Sequence, residues 1–319
     1  VLSIKSIRPK SSRTRSIDRM EPLHTLPTAA ILGTVSGSLE LAARRLAGHS
    51  ESPRLDAELL LCKITGLSRA GLIVHGAAPL DADGRAAFDA LISRRAGGAP
   101  VAYLTGRREF WSLGLAVTPA VLVPRPETEL LVEQALALLP DAPRSLLDLG
   151  TGSGAIALAI ASERPRTRIT AVDLSAAALD VARHNAVTLG LPDIDWRLGS
   201  WFGAVADERF DLIVANPPYV AAGDPALSRL AAEPLLALTP GPTGLEALTA
   251  IIDAAAAHLE PRGWLLLEHG NEQADAVTRL LEGAGFTGVR TVVDPAGRPR
   301  ITLGAVAPGL VHSLHHSSQ

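Results

Sequence analysis

The 319-residue sequence has one cysteine, Cys62, which excludes an intrachain disulfide and any zinc site built on cysteines. Aromatic residues make up 3% of the chain, so where they fall is informative. Lysine occurs only at positions 5, 10 and 63, and arginine carries nearly all the positive charge. There is no surplus of that charge: 30 Lys and Arg stand against 33 Asp and Glu, a formal net charge of −3. A protein that only grips nucleic-acid backbone is usually basic, so that class loses weight. No uncharged apolar run approaches the roughly 18 residues of a membrane span. What is present is 47% hydrophobic and 20% charged residues, enough apolar material for a sizeable core. The length allows about two domains at roughly 150 residues each. A monomer in a reducing, cytoplasmic compartment is expected, with no membrane partner.

Residues 1–28 differ from the rest. They are basic and Ser-rich, with Arg8, Arg13, Arg15 and Arg19 against Asp18. Such a segment reads either as a transit peptide or, the reading favoured here, as an over-long, disordered extension ahead of the folded part. Residues 29–98 read as a small helical domain. Leu39, Ala42, Ala43 and Leu46 recur at helical spacing. Pro53 suits a first helical turn and Gly66 a stop, while Ser68 and either Asp81 or Asp83 suit N-caps. Residues 99–125 read as a linker, with EFWSL and LAV pairing as a hairpin across Gly114. The RPETE segment that follows places Glu127 and Glu129 in the first turn of a helix, where the dipole favours carboxylates. Residues 126–306 read as the catalytic domain and 307–319 as a disordered tail.

Within 126–306, apolar strand-like runs alternate with helical ones: SLLDLG, GAIALAIASE, RITAVDL, SAAALDVARHNAVTLG, IDWRLGS, FDLIVA, GLEALTAIIDAAAAHLE and GWLLLEHG. FTGVRTVVD and RPRITLGAV then read as a closing hairpin. This pattern predicts an α/β fold with a doubly wound, mostly parallel, Rossmann-like sheet. Ligands of such sheets sit at the carboxyl ends of the strands, and the chemically suggestive clusters fall there.

The first cluster is Gly150-Thr151-Gly152-Ser153-Gly154, between the first strand and its helix. Glycines permit a tight turn and close approach of a ligand, and the helix start offers free N–H groups. Asp173 ends the second strand, where a carboxylate can accept both hydroxyls of a ribose. Together they point to a nucleoside-containing cofactor without fixing which one, because Gly150, Gly152 and Ala155 also satisfy a loose dinucleotide fingerprint. Trp201, after the third strand, is placed either to cover an adenine face or simply to pack.

The second cluster, Asn216-Pro217-Pro218-Tyr219, follows the fourth strand. A dehydrogenase gains nothing from it, whereas an enzyme that methylates nitrogen does. An amide or aromatic-amine nitrogen is a poor nucleophile because its lone pair is delocalised. Two acceptors, Asn216 Oδ1 and the Pro217 carbonyl, holding its two N–H groups would aim that lone pair at a methyl donor. The prolines stiffen the loop, and Tyr219 can pack over a flat target group. No histidine–acid cluster suggests a metal, and no Ser-His-Asp arrangement is evident.

The segments PRPETE (124–129), LDLGTGSGAIA (147–157), VDLS (172–175), SWF (200–202), NPPY (216–219), AEPLLAL (232–238) and LLLEHG (265–270) resemble those of the HemK/PrmC protein-glutamine N5-methyltransferases. The resemblance runs from about residue 30 to 304. It implies a class I S-adenosylmethionine-dependent methyltransferase that modifies the glutamine of the Gly-Gly-Gln motif in class-1 peptide chain release factors. It also implies that Gly150 to Gly154, Asp173, Trp201 and Asn216 meet S-adenosylmethionine, and that Asn216, Pro217, Pro218 and Tyr219 hold the substrate glutamine, with Asn216, Pro217 and Tyr219 catalytic. The RPETE segment favours this branch over enzymes that methylate a ribosomal-protein glutamine. Ser200 stands where members often carry an acid, and the segment between Asp224 and Glu233 looks short. The rival readings are a nucleic-acid adenine N6-methyltransferase, which the acidic balance disfavours, and a non-enzymatic cofactor-binding adaptor, which the intact NPPY disfavours.

Overall fold

The computed structural model describes residues 33–142, 144–191 and 193–307. The expected extension 1–28 and all but the first residue of the expected tail 307–319 lie outside the described residues.

The first helices begin and end where their caps dictate. Thr34 Oγ1 accepts from Gly37 N at 3.1 Å and starts α1 (Val35–Leu46). Pro53 opens α2 (Pro53–Thr65), which stops at Gly66 in the left-handed conformation. Ser68 caps α3 (Arg69–Val74), and Asp81 caps α4 (Ala82–Ala96) by accepting from Gly84 N at 2.6 Å. Leu39, Ala42 and Leu46 are buried as the spacing predicts, against Leu60, Leu61, Phe88 and Ile92. Cys62 packs half-buried beside them, and burial raises its thiol, so it behaves as a small apolar residue.

After α5 (Val101–Thr105), β1 (Arg107–Phe110) and β2 (Leu113–Ala116) pair antiparallel. The turn lies at Trp111–Ser112 and not at Gly114, which sits inside β2 opposite Glu109. Both turn residues have positive φ, 51° and 59°, the conformation a two-residue hairpin needs to match strand twist. Nothing in the local sequence announces it, because neither residue is glycine. The compensation comes from elsewhere: Trp111 N donates to Glu129 Oε1 (2.9 Å) and Trp111 Nε1 to Glu163 Oε1 (3.0 Å).

A 3-10 turn, Pro126–Thr128, leads into α6 (Glu129–Leu138). The alternation that follows is β3 (Ser145–Leu149), α7 (Ala155–Glu163), β4 (Arg168–Asp173), α8 (Ala176–Leu189), β5 (Asp195–Leu198) and β6 (Phe210–Ala215). A short α9 (Ala226–Arg229) precedes α10 (Glu246–Ala255), β7 (Leu259–Glu268), α11 (Ala274–Gly283), β8 (Phe286–Val293) and β9 (Pro299–Val306). The seven strands lie in the order β5-β4-β3-β6-β7-β9-β8. The first five run parallel, and β9 enters antiparallel between β7 and β8. Strand residues alternate between two cores. Leu146, Leu212, Val214 and Leu266 face α6 and α7, whereas Leu147, Ile213, Leu265 and Leu267 face Leu248, Ile251 and Ile252 of α10 and Val277 and Leu281 of α11. This is the doubly wound sheet expected from the sequence.

The chain leaves β3 toward β4 and β5, then returns to build β6 and β7 on its other side, so the strand order reverses beside β3. A crevice opens at such a reversal. The hairpin is fastened to it. The Asn185 side chain accepts from Ala116 N at 2.7 Å and donates to Ala116 O at 3.0 Å and to Ser153 O at 2.9 Å. Tyr103 Oη donates to Val121 O at 2.6 Å. No helix among the described residues is long and apolar enough to cross a membrane.

Candidate active site

A cavity of about 460 Å³ occupies that crevice. Of the residues singled out from the sequence, Gly150, Thr151, Gly152, Ser153, Asp173, Trp201, Asn216 and Pro218 line it. Gly154, Pro217 and Tyr219 do not.

The glycine loop forms one wall. Gly150, Gly152 and Gly154 all have positive φ, and a Cβ on Gly152 would meet nothing within 4 Å. Gly154 lies behind the cavity wall, where close packing requires it to be glycine. A Cβ there would lie 3.0 Å from Leu158 and from Trp196 and 3.2 Å from Ala182, so this glycine lets α7 close against α8 and β5. Asp173 ends β4 and folds back over the loop. Its Oδ2 accepts from Gly152 N and its Oδ1 from Ser175 N, both at 2.8 Å. Each oxygen keeps lone-pair capacity toward the cavity. Burial raises the Asp173 pKa while these backbone N–H groups oppose the rise. Beneath the loop, the fully buried Asp148 accepts from Thr151 Oγ1 at 2.7 Å, and burial pushes its carboxyl up to about 7. Trp201 holds φ at 46°, an uncommon conformation for a bulky residue, and its ring lies 3.6 Å from where a Gly150 Cβ would be. Its neighbour Phe202 packs inward and stacks on His258 with ring centroids 4.5 Å apart.

The opposite wall starts at the end of β6. Asn216 Nδ2 donates to Thr128 Oγ1 at 3.1 Å. The Asn216 Oδ1 and Pro217 carbonyl accept no hydrogen bond from any described residue. Pro217 is itself buried behind the wall. Tyr219 turns away from the cavity and makes a long contact of 3.4 Å from its hydroxyl to Glu268 Oε1. Burial and that carboxylate push the phenol well above its ordinary range. Tyr219 O accepts from Gln273 Nε2 at 3.0 Å, and a Cβ on Gly244 would sit 2.5 Å from the same oxygen. The backbone after the prolines is thereby clamped from two sides.

Glu268, the last residue of β7, is 1% exposed. Burial raises its pKa to about 7, opposed by the Thr128 hydroxyl and the Arg300 guanidinium. At the mouth, Glu233 is buried, accepts from Val123 N at 3.0 Å and pairs with Arg125. It thereby ties the 224–240 segment, whose Pro234, Leu236 and Ala237 line the cavity, to the RPETE approach. Thr128, Glu233, Glu268 and Asp148 carried no role in the sequence reading, although all four lie in segments quoted there. The available signal was chemical: an acid at or near the end of an otherwise apolar strand, as in SLLDL and LLLE, is an acid folded into the interior.

These residues suit a nucleoside-bearing ligand. The wall holds a carboxylate with spare acceptor capacity, a helix start behind glycines and an indole beside them. None of this needs a metal, and among the described residues no three metal-ligating side chains converge.

Comparison with known proteins gives the family. The model of the PrmC N-terminal domain matches residues 38–106, and that of the methyltransferase small domain matches 126–242. The release factor glutamine methyltransferase of Xylella fastidiosa is 52% identical over 254 residues, which is 79% of this chain and 92% of the relative. That of Escherichia coli is 47% identical over 257 residues, 80% of this chain and 93% of the relative. Among solved structures, the hMettl16 catalytic domain in complex with a 3′UTR hairpin superposes with a TM-score of 0.50 at 16% identity. It covers 62% of this chain and 76% of its own, a likeness of fold alone. Two domain models in sequence and this identity along nearly the full length of the relatives place the chain in the release factor glutamine methyltransferase family.

Proposed function

We propose that this chain transfers a methyl group to the side-chain amide nitrogen of the glutamine in the Gly-Gly-Gln motif of class-1 peptide chain release factors. S-adenosylmethionine supplies an activated methyl on a sulfonium, so the nitrogen needs only to be aimed at it. The observation that carries the reading is the pair of free acceptors at the end of β6. Asn216 Nδ2 is engaged by Thr128, which leaves Oδ1 for the substrate, and the Pro217 carbonyl beside it is also free.

Gly150, Thr151, Gly152, Ser153, Asp173 and Trp201 would hold the cofactor. The spare lone pairs of Asp173 suit two ribose hydroxyls, the Gly152 position admits close approach, and Trp201 offers a flat apolar face. Asn216 and Pro217 would accept the two N–H bonds of the substrate amide and turn its lone pair across the cavity. Tyr219 supports the loop from behind, and Pro218 supplies wall. The catalytic gain is positioning together with desolvation of a neutral nucleophile. The nitrogen's proton leaves to solvent after methyl transfer, so no strong base is needed.

The helical region would seat the rest of the release factor. On α3, Ile73 and Val74 are each 78% exposed, an apolar pair left uncovered by the described residues. Replacing both by serine is expected to raise KM for the intact factor and to leave KM for a short Gly-Gly-Gln peptide unchanged. The reaction is read as that of a cytoplasmic monomer without nucleic acid or membrane.

The test is label transfer from methyl-labelled S-adenosylmethionine to a purified release factor, beside its Gly-Gly-Gln to Gly-Gly-Ala variant. Label on the intact motif alone supports the reading. Equal label on both overturns it. No label on either, with label on a ribosomal-protein glutamine or an adenine in nucleic acid, assigns the same acceptors to another substrate.

A further inference from the structure

We propose that the Glu233–Arg125 pair sets which residues can flank the target glutamine. It holds the strap at the cavity mouth, residues 220–241, close to the 120–125 stretch, so that glycine passes between them and larger residues do not. The inference deepens the function proposed above and rests on it.

The strap leaves the NPPY loop and returns to α10. Its base is closed by Val220 N donating to Leu238 O and Ala222 N to Gly241 O, both at 2.9 Å. From 223 to 237, the hydrogen bonds among the described residues stay within the strap or run to its base, with one exception. The exception is Glu233. Its buried carboxylate accepts from Val123 N at 3.0 Å and pairs with Arg125. Both donors belong to the stretch across the mouth. That stretch is itself secured, because Val121 is buried and its carbonyl accepts from Tyr103 Oη at 2.6 Å. A carboxylate held by a backbone N–H and a guanidinium is a strong, directional fastening. It fixes the separation of two segments that no other hydrogen bond joins among the described residues.

The cavity lining starts at the residue after this pin. Pro234, Leu236 and Ala237 line it on the strap side, and Ala120, Leu122 and Pro124 line it from the opposing stretch. Neither row carries a polar side chain. The two charged groups beside them, Glu233 and Arg125, are spent on each other. A chain segment threading between the rows therefore meets apolar walls. A bulky side chain has to push the rows apart against the pin, and a polar one is buried without a partner. Glycine incurs neither cost. A glutamine preceded by glycines delivers its amide to Asn216 and Pro217 with only backbone in the gap. The pair thus reads the residues beside the glutamine by their lack of a side chain. It acts through the strap, as a positioning pair, and is not required to touch the reacting atoms.

The test measures kcat/KM of the full chain on a purified release factor carrying Gly-Gly-Gln, Ala-Gly-Gln or Gly-Ala-Gln. The wild type is expected to prefer Gly-Gly-Gln to Gly-Ala-Gln by about tenfold, the cost of one extra methyl in a close-fitting site. Glu233→Ala frees the strap and should bring the two motifs within about threefold of each other, even where its rate on Gly-Gly-Gln falls. A merely structural role would lower all three rates in proportion and leave the preference unchanged. Glu233→Gln keeps the length and an acceptor for Val123 N but loses the charge, so its preference should lie between the two. It carries the test if Glu233→Ala does not fold. Hydrogen exchange at Val123 N and Ala237 N should quicken in Glu233→Ala, a readout independent of turnover. A wild type indifferent to the alanine motifs overturns the inference. So does a folded Glu233 variant that keeps the full preference for glycine. If the wild type does not label the Gly-Gly-Gln glutamine at all, the function proposed above fails and takes this inference with it. Label on that glutamine with an unchanged preference in the variants overturns this inference alone.

Discussion

The two walls of the cavity are built by opposite strategies. The glycine-loop wall is assembled from neighbours: Asp173 reaches back 21 residues to Gly152 N and forward two to Ser175 N. Its partners are backbone groups, fixed as soon as β3, β4 and their helices pair. The NPPY wall is assembled from side chains far apart in sequence: Asn216 meets Thr128 across 88 residues, and Tyr219 meets Glu268 across 49. Backbone donors fix where a ligand sits and tolerate changes in the side chains around them. A side-chain network fixes which atom faces the ligand, and a single substitution can reverse it. The first wall is therefore suited to binding and the second to orientation, and the two should separate under mutation.

The largest effect is expected on the orienting side. Asn216→Ala removes one of two acceptors aimed at the reacting nitrogen. It should lower kcat by roughly a hundredfold to a thousandfold, as removal of a single preorganised polar group at a reacting centre does. The affinity for S-adenosylmethionine, measured by calorimetry, should change by less than about threefold. Equal losses in both would mean that Asn216 builds the cofactor wall, and the contrast between the walls would collapse.

The same contrast explains what could be read without a structure. The alternation of apolar runs made the doubly wound sheet legible, because burial on both faces leaves long stretches such as SLLDL and FDLIVA with one interpretation. Glycines and Asp173 were legible because their work is local. Thr128 and Glu268 were not, because their partners, Asn216 and Tyr219, lie 88 and 49 residues away. Those contacts form only once the fold has brought the loop after β6 beside the RPETE turn and the end of β7. The turn at Trp111–Ser112 was misjudged for a similar reason. Its positive φ values are upheld by Glu129 and Glu163, which lie 18 and 52 residues downstream of Trp111. Gly154 is also needed for packing between α7 and its neighbours, a demand that a glycine-rich string does not reveal, because it gives no means of telling its glycines apart.

A smaller effect is expected on the binding side. Asp173→Ala removes a carboxylate that organises the loop and offers lone pairs to the ligand. A hydrogen bond to a charged group is worth about 1.5–3 kcal/mol, so cofactor affinity should fall roughly tenfold to a hundredfold. At saturating cofactor, kcat should recover to within a few-fold of wild type. A kcat that stays low at saturation would show that this wall orients as well as binds.

The smallest effect concerns what lies behind each wall. Both are backed by one buried carboxyl that burial raises to about 7, Asp148 under the glycine loop and Glu268 under the NPPY loop. For Asp148 the ordinary value is 3.8, so the folded protein keeps a proton that the unfolded chain gives up between about pH 4 and 7. In that window the native state binds more protons, and stability falls as pH rises. The stabilisation is complete below the unfolded value and lost once pH passes the folded one. One such proton corresponds to a slope of at most about 1.4 kcal/mol per pH unit. Asp148→Asn still accepts from Thr151 but does not titrate. The variant's Tm, measured without cofactor, should therefore gain on the wild type between pH 4 and 7 and run parallel to it above. Glu268 contributes a slope of the same sign that remains in this variant, so the variant's own curve should be shallower than the wild type's without becoming flat. A difference independent of pH would mean that Asp148 is ionised in the folded protein throughout. Thr151 would then be holding a buried anion, and the two walls would differ in charge as well as in construction.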